Sequence, residues 1–252
     1  YFQVTPHTFD LERLAAAGFP TRFQTIFYPV LFIGFGILAG LWPFHTWSPD
    51  GHAAAPSSVS MLHAGVLMKL GAYGIIRVAL GLLPEGAKVW AYPFALLTIV
   101  NIVYGALSAM SQKDLKYVIA YSSVSHMGIV LLGICSLNLL SLDGAVFQMF
   151  AHGVMTGLFF ALVGAIYSRT HTRVLLDMGG LAARMPYLCG AFVIGGLSSL
   201  GLPGLSGFVA EFTTFLGSFR TFPILTLVAA TGVLFTALYV LRVVQWIFFG
   251  PI

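Results

Sequence analysis

The sequence predicts an all-α integral membrane protein, a multi-span helical bundle with two interrupted helices. Three observations carry this prediction. Charged residues make up 8% of the chain and hydrophobic residues 58%, with a mean hydropathy of +0.93, against roughly 25% charged in an average soluble domain. Crossing a bilayer takes about 20 apolar residues, and runs of that order recur at 25–43, 60–83, 89–110, 117–140, 144–167, 187–219 and 222–249. Two of these runs are broken by clustered glycine and proline.

Residues 1–24 read as a loop or interfacial segment ahead of the first span. The chain opens on Tyr1 rather than Met, shows no signal-peptide pattern and stops at Ile252 directly after a span, which reads as a piece of a longer protein. The first run ends in Gly40-Leu-Trp-Pro-Phe-His-Thr-Trp-Ser-Pro-Asp-Gly51, where Pro43, Pro49 and the flanking glycines oppose a continuous helix. The second run, 60–83, holds Lys69 near its centre. A charge at that depth costs about 2.5–3.5 kcal/mol on insertion scales, so a lysine there points to transport. Arg77, nearer the end of the same run, can snorkel and reads as an interfacial anchor. His63 and Tyr73 flank Lys69 and are expected to shape its surroundings.

The run 89–110 is long and apolar enough to cross. The next one carries His126 behind Ser122, Ser123 and Ser125, whose hydroxyls can hold water or bond back to the helix. In 144–167, His152 has Gln148 one turn before it and Thr156 one turn after, which makes a polar stripe on one face. A satisfied structural histidine would show the same pattern. The run 187–219 is about ten residues too long for a straight crossing. Pro203 clashes there with the carbonyl of Ser199, so the helix should break within 201–207, two turns before Glu211. That glutamate suits a proton site, and equally a carboxylate answering the positive end of the half-helix that starts near Gly207. The last span is 222–249.

Interrupted segments at corresponding places in two halves are the sequence mark of inverted-repeat transporters and their ion sites. A net charge of +4 is too small and dispersed for nucleic-acid binding and serves instead to orient the helices. Lys113 and Lys116, with Arg169, Arg173 and Arg184 in a later loop, fall on one side, which the positive-inside rule makes cytoplasmic or its organellar equivalent. Lys113 and Lys116 read as solvated charges at a helix end, with Lys116 also placed to feed protons inward. Cys135 and Cys189 sit in apolar runs and read as small core residues. The histidines at 45, 52 and 63 match no metal-ligand spacing, and no carboxylate or Cys cluster accompanies them. No dinucleotide fingerprint, phosphate loop or iron–sulfur motif is present. The reading is therefore transport, with no metal or cofactor bound by this chain.

A lysine, two histidines and a glutamate in separate spans can exchange protons within a narrow pH range, because burial penalises the charged forms of lysine and glutamate alike and histidine titrates near neutrality. A Na⁺ site would prefer clustered carboxylates and carbonyls. One intramembrane acid favours protons.

Four stretches together resemble the proton-translocating antiporter-like subunits of respiratory complex I: Pro43 to Pro56 (PFHTWSPDGHAAAP), Ala64 to Gly74 (AGVLMKLGAYG), Gln112 to Gly128 (QKDLKYVIAYSSVSHMG) and Gly201 to Phe212 (GLPGLSGFVAEF). The likeness runs over about 24–248 and is greatest to the M chain of NADH-quinone oxidoreductase, equivalent to mitochondrial chain 4. Its motifs are specific to the superfamily and less so among the M, L and N chains and the Mrp antiporter subunits. The resemblance implies fourteen helices in two inverted five-helix repeats, of which 25–83 would be the last two helices of the first repeat and 89–249 the second. It sets Lys69 on the central lysine, His126 and His152 on the relay histidines and Glu211 on the terminal glutamate, linked by water along the membrane midplane. It also implies NADH, FMN, iron–sulfur clusters and quinone in partner subunits of the membrane and redox arms, and a bacterial plasma membrane, a mitochondrial inner membrane or a thylakoid as the location. Two features depart from the family pattern. Leu38 stands where a lysine is usual, seven positions before His45, and the glutamate that usually partners that lysine lies on a helix this sequence does not contain.

The expected function is a proton-pumping membrane-arm subunit of an NADH:quinone oxidoreductase, a translocase without redox chemistry of its own. The alternatives are a subunit of an Mrp-type Na⁺/H⁺ antiporter or membrane-bound hydrogenase, and a structural membrane scaffold that does not pump, for which Leu38 is the best argument.

Overall fold

A computed structural model describes residues 4–251 as helices joined by short connections. We label them α1 (Leu11–Ala17), α2 (Thr21–Ala39), α3 (Trp47–Ala54), α4 (Ser57–Leu80), α5 (Pro84–Ser111), α6 (Leu115–Cys135), α7 (Leu139–Thr170), α8 (Pro186–Ser199), α9 (Ser206–Thr221) and α10 (Pro223–Phe249). Among the described residues, six helices are long and apolar enough to cross a membrane: α2, α4, α5, α6, α7 and α10. The apolar run 187–219 is two half-helices, α8 and α9, parted by an irregular turn. The first interruption is of the same kind: α2 stops at Ala39, Gly40 takes the left-handed conformation as its C-cap, and α3 resumes the path at Trp47.

Ahead of the first span, part of the stretch expected to be a loop is helical, over Leu11–Ala17. Asp10 caps α1 by accepting from the backbone N–H groups of Glu12 and Arg13. Pro20, which pre-sets the chain for a helix start, brings the beginning of α2 to Thr21, so the first span starts four residues before Thr25. Residues 1–3 lie outside the described part of the chain.

The centre of the bundle is α6. All of its residues except Tyr117 and Tyr121 are buried, as expected of a helix that is apolar all round and enclosed by its neighbours. Helices α5 and α7 run directly against it through small residues. A β-carbon on Gly105 would come within 2.7 Å of Ser125 N, and one on Gly128 within 2.7 Å of the Ile102 side chain. Small residues at such contacts let membrane helices approach closely.

Two apolar cores divide this bundle. One takes Met127, 129–132, Ile134 and Cys135 of α6 with Ala145 of α7, the other Leu115, Val118 and Ile119 of α6 with Met155, Phe159 and Phe160 of α7. Between them, at mid-height, the same two helices carry Ser122, Ser123, Ser125 and His126, and Gln148 and His152, all buried. The polar band thus lies between two apolar layers. At one end of the bundle, Leu115 N donates to Arg173 O and Leu175 N to Lys113 O, and Arg173 pairs with Asp114 at 3.3 Å. These contacts gather Lys113, Lys116 and Arg173 on a single face.

Candidate functional site

Helix α4 presents Lys69 through a local departure from α-helical winding. Residues 63–67 form a π-helical turn, and the N–H of Met68 is directed to the carbonyls of His63 and Val66 instead of that of Ala64. The Ala64 oxygen accepts from Lys69 Nζ, so the turn provides the ammonium with a backbone partner. The side chain is 9% exposed, and its other partner is His152 Nδ1 at 2.7 Å. That contact depends on the close approach of α4 and α7, where a β-carbon on Gly153 would stand 2.7 Å from the Gly65 carbonyl oxygen.

His152 lies on α7 with its backbone oxygen taken by Thr156 Oγ1, and its Nε2 makes no hydrogen bond within the protein. The His152 and His126 rings stand 5.2 Å apart between centroids and 38° from parallel. His126, 2% exposed, is held at both nitrogens: Nε2 is 3.1 Å from Ser199 Oγ, and Nδ1 is 3.0 Å from Glu211 Oε1. With the proton on Nδ1, the imidazole donates to Glu211 and accepts from the Ser199 hydroxyl. Gln148 braces this pair, its Nε2 donating to Glu211 Oε1 at 3.3 Å and lying 3.4 Å from His126 Nδ1.

Glu211 reaches the group from the second half-helix, α9. The chain enters α9 through Gly201 (φ 64°) and Gly204 (φ 99°), both in the left-handed region where a side chain is strained. Gly201 has a second constraint, because a β-carbon there would lie 2.9 Å from Glu211 Oε2. The break that brings Ser199 and Glu211 to opposite sides of His126 therefore needs glycine at its first turn. Farther along α9, Gly217 sits against the backbone of Ser141 on α7, and Gly144 of α7 against the backbone of Thr214 on α9, which fixes the two helices together.

Lys69, His152, His126 and Glu211 thus come together in that spatial order, with Lys69 next to the histidine farther from it in sequence. Lys116 lies apart from them. It is not a solvated charge: at 4% exposure its Nζ donates to Ala55 O at 2.5 Å, because the C-terminal end of α3 lies over the start of α6 and offers an unpaired carbonyl. Tyr73 points outward at 55% exposure, away from the surroundings of Lys69. His63 stacks between Trp47 and His52, at 5.0 and 4.1 Å. Arg77 is exposed on the outside of α4, and Leu38 is half-buried on α2.

Two residues that sequence reasoning left without a role organise the site. Asn101 accepts from Trp42 N at 2.6 Å and donates to Val124 O at 2.7 Å, tying the interruption after α2 to the centre of α6. Its signal was a lone amide inside the apolar run 89–110. Ser199 was noted only for the carbonyl that Pro203 displaces, yet its hydroxyl holds His126.

Comparison with known proteins gives a consistent result. A family described as "NADH:quinone oxidoreductase/Mrp antiporter, TM" matches residues 3–236. The chain is 42% identical over 248 residues to the NADH-quinone oxidoreductase subunit M of Rickettsia bellii, covering 98% of this chain and 50% of the relative. It is 44% identical over 253 residues to NAD(P)H-quinone oxidoreductase chain 4 of Acaryochloris marina, covering 97% and 47%. A chain of respiratory complex I from Thermus thermophilus superposes with a TM-score of 0.93 at 34% identity, covering 97% of this chain and 52% of that one. The sequence therefore spans about half the length of the curated relatives it matches.

Proposed function

The chain belongs to the NADH:quinone oxidoreductase/Mrp antiporter transmembrane family, and from that premise we propose that it is a proton-conducting part of a membrane-arm subunit in an NADH:quinone oxidoreductase. Its partners in this reading are the neighbouring membrane-arm subunits, while NADH, flavin, iron–sulfur clusters and quinone belong to other chains of the assembly. The observation that carries the reading is the buried line Lys69, His152, His126, Glu211, drawn from four different helices into one polar band between two apolar cores.

Each group has a role that its contacts suit. The Lys69 ammonium gives a proton to His152 Nδ1 across 2.7 Å and is left as a neutral amine, still near the Ala64 carbonyl. His152 passes a proton from its other nitrogen toward His126, whose ring stands 5.2 Å away between centroids. His126 hands its Nδ1 proton to Glu211 Oε1, 3.0 Å away. A charge arriving near this line from a neighbouring subunit would bias every step. Unit charges about 4 Å apart interact by about 4 kcal/mol at an effective dielectric near 20, equivalent to about three pKa units.

The experiment that tests the reading is proton translocation by vesicles holding the assembled complex with the full-length subunit, comparing wild type with Lys69→Ala at matched assembly and electron transfer. Loss of translocation supports the relay. Full retention would make Lys69 structural and the chain a scaffold.

A further inference from the structure

Outside the Lys69 line, three hydroxyls converge on His126 from a direction that the relay does not use. Tyr239 of α10, 3% exposed, donates its hydroxyl hydrogen to Ser122 Oγ at 2.7 Å and shares a cavity wall with Ser199. Ser199 in turn lies 3.1 Å from His126 Nε2. All three border one narrow cavity, of about 20 Å³, enough for one water molecule. The rest of its wall is apolar and includes Leu115 at the start of α6 and Val243 toward the end of α10. Leu115 in that wall is the residue whose N bonds Arg173 O, at the end of the bundle that carries Lys113.

A tyrosine hydroxyl buried in an apolar helix contact normally needs one partner. Here it joins a cluster with a cavity on one side and an imidazole nitrogen on the other. Because His126 Nδ1 already faces Glu211, a proton received at Nε2 needs no ring rotation before another leaves from Nδ1. We propose that Tyr239, Ser122 and Ser199 form a proton-access branch that delivers protons to His126 Nε2 from the Lys113 face, separately from Lys69 and His152. This proposal rests on the proton-conducting reading given above.

The transfer conserves every bond type. A protonated water in the cavity, held by the Tyr239–Ser122 pair, gives its proton to the Ser199 oxygen. Ser199 passes its own hydroxyl proton to His126 Nε2, and His126 releases the Nδ1 proton to Glu211 Oε1. Each hydroxyl keeps one hydrogen, His126 changes from its Nδ1–H to its Nε2–H tautomer, and the carboxylate has gained the proton.

The test uses the full-length subunit in the assembled complex, reconstituted in vesicles, with proton translocation measured against electron transfer in H₂O and D₂O. Tyr239→Phe keeps the ring and removes the hydroxyl. Val243→Phe keeps every hydroxyl and fills the cavity, so it carries the test if the first variant fails to assemble. Both are expected to slow translocation at least fivefold at unchanged assembly, and Tyr239→Phe to reduce the solvent isotope effect as well. If both variants pump at the wild-type rate while Lys69→Ala does not pump, the branch is overturned and the Lys69 relay stands. If Lys69→Ala pumps normally while both variants are slow, the branch stands and the Lys69 relay falls. Wild-type pumping by all three overturns both.

Discussion

The carbonyl oxygen of Gly65 lies 2.7 Å from the point where a β-carbon on Gly153 would stand, and this contact between α4 and α7 sets the distance from Lys69 to His152. The obstructing atom is backbone, so it cannot turn aside as a side chain would. Gly153→Ala is expected to push the helices apart, at a cost of about 1–3 kcal/mol for an overpacked contact. It should also break the 2.7 Å contact between Lys69 Nζ and His152 Nδ1. Thermal unfolding in detergent checks the first effect, and proton translocation at matched assembly the second. A variant with wild-type values of both would show that this approach does not govern the Lys69 contact.

Glu211→Gln removes the charge while keeping size and one acceptor oxygen. A proton site should lose its function under this change, with translocation falling at least tenfold while the complex assembles normally. A carboxylate that only answers the start of α9 would instead show a small stability loss and normal pumping. Measuring both quantities on the same preparation separates the two roles.

The four titratable residues and the break at 201–207 were legible because each is an anomaly against an apolar background: a charge at mid-span, or Gly and Pro inside a run. Which of them touch was not. A single sequence gives the axial height of a residue along its helix but not the rotation of that helix against its neighbours, so the adjacency of Lys69 to His152 rather than His126 had no local signal. Lys116 was misread for a related reason. Its position at a helix start suggested solvent, and only the fold places the end of α3 over it. The π-helical turn at 63–67, which directs the Ala64 carbonyl to Lys69, has no sequence signature of its own.

Asn101 makes a prediction about stability rather than transport. It is fully buried and bridges Trp42 N and Val124 O. Asn101→Ala would leave the partly buried Trp42 N–H without its partner, at about 1–3 kcal/mol, and remove the second of two bonds to the Val124 carbonyl, which keeps its helical partner. Loss of the Trp42 contact should loosen the interruption between α2 and α3 first. Hydrogen exchange is expected to rise across 40–46 before it rises in α6; uniform change along the chain would mean that Asn101 supports the bundle as a whole.

Gly201 joins the conformation of the break to the chemistry of the site. Its φ of 64° makes any side chain unfavourable by roughly 1–2 kcal/mol, and a β-carbon would also meet Glu211 Oε2 at 2.9 Å. Gly201→Ala therefore carries two costs, one paid in stability and one in the position of the carboxylate. Gly204 has the same left-handed geometry at φ 99° but nothing within 4 Å of a β-carbon, so Gly204→Ala bears the backbone cost alone. Both variants should lose comparable thermal stability, and only Gly201→Ala should slow proton translocation severalfold at matched assembly. Equal translocation in the two would show that the position of Glu211 Oε2 is not critical to its proton exchange with His126.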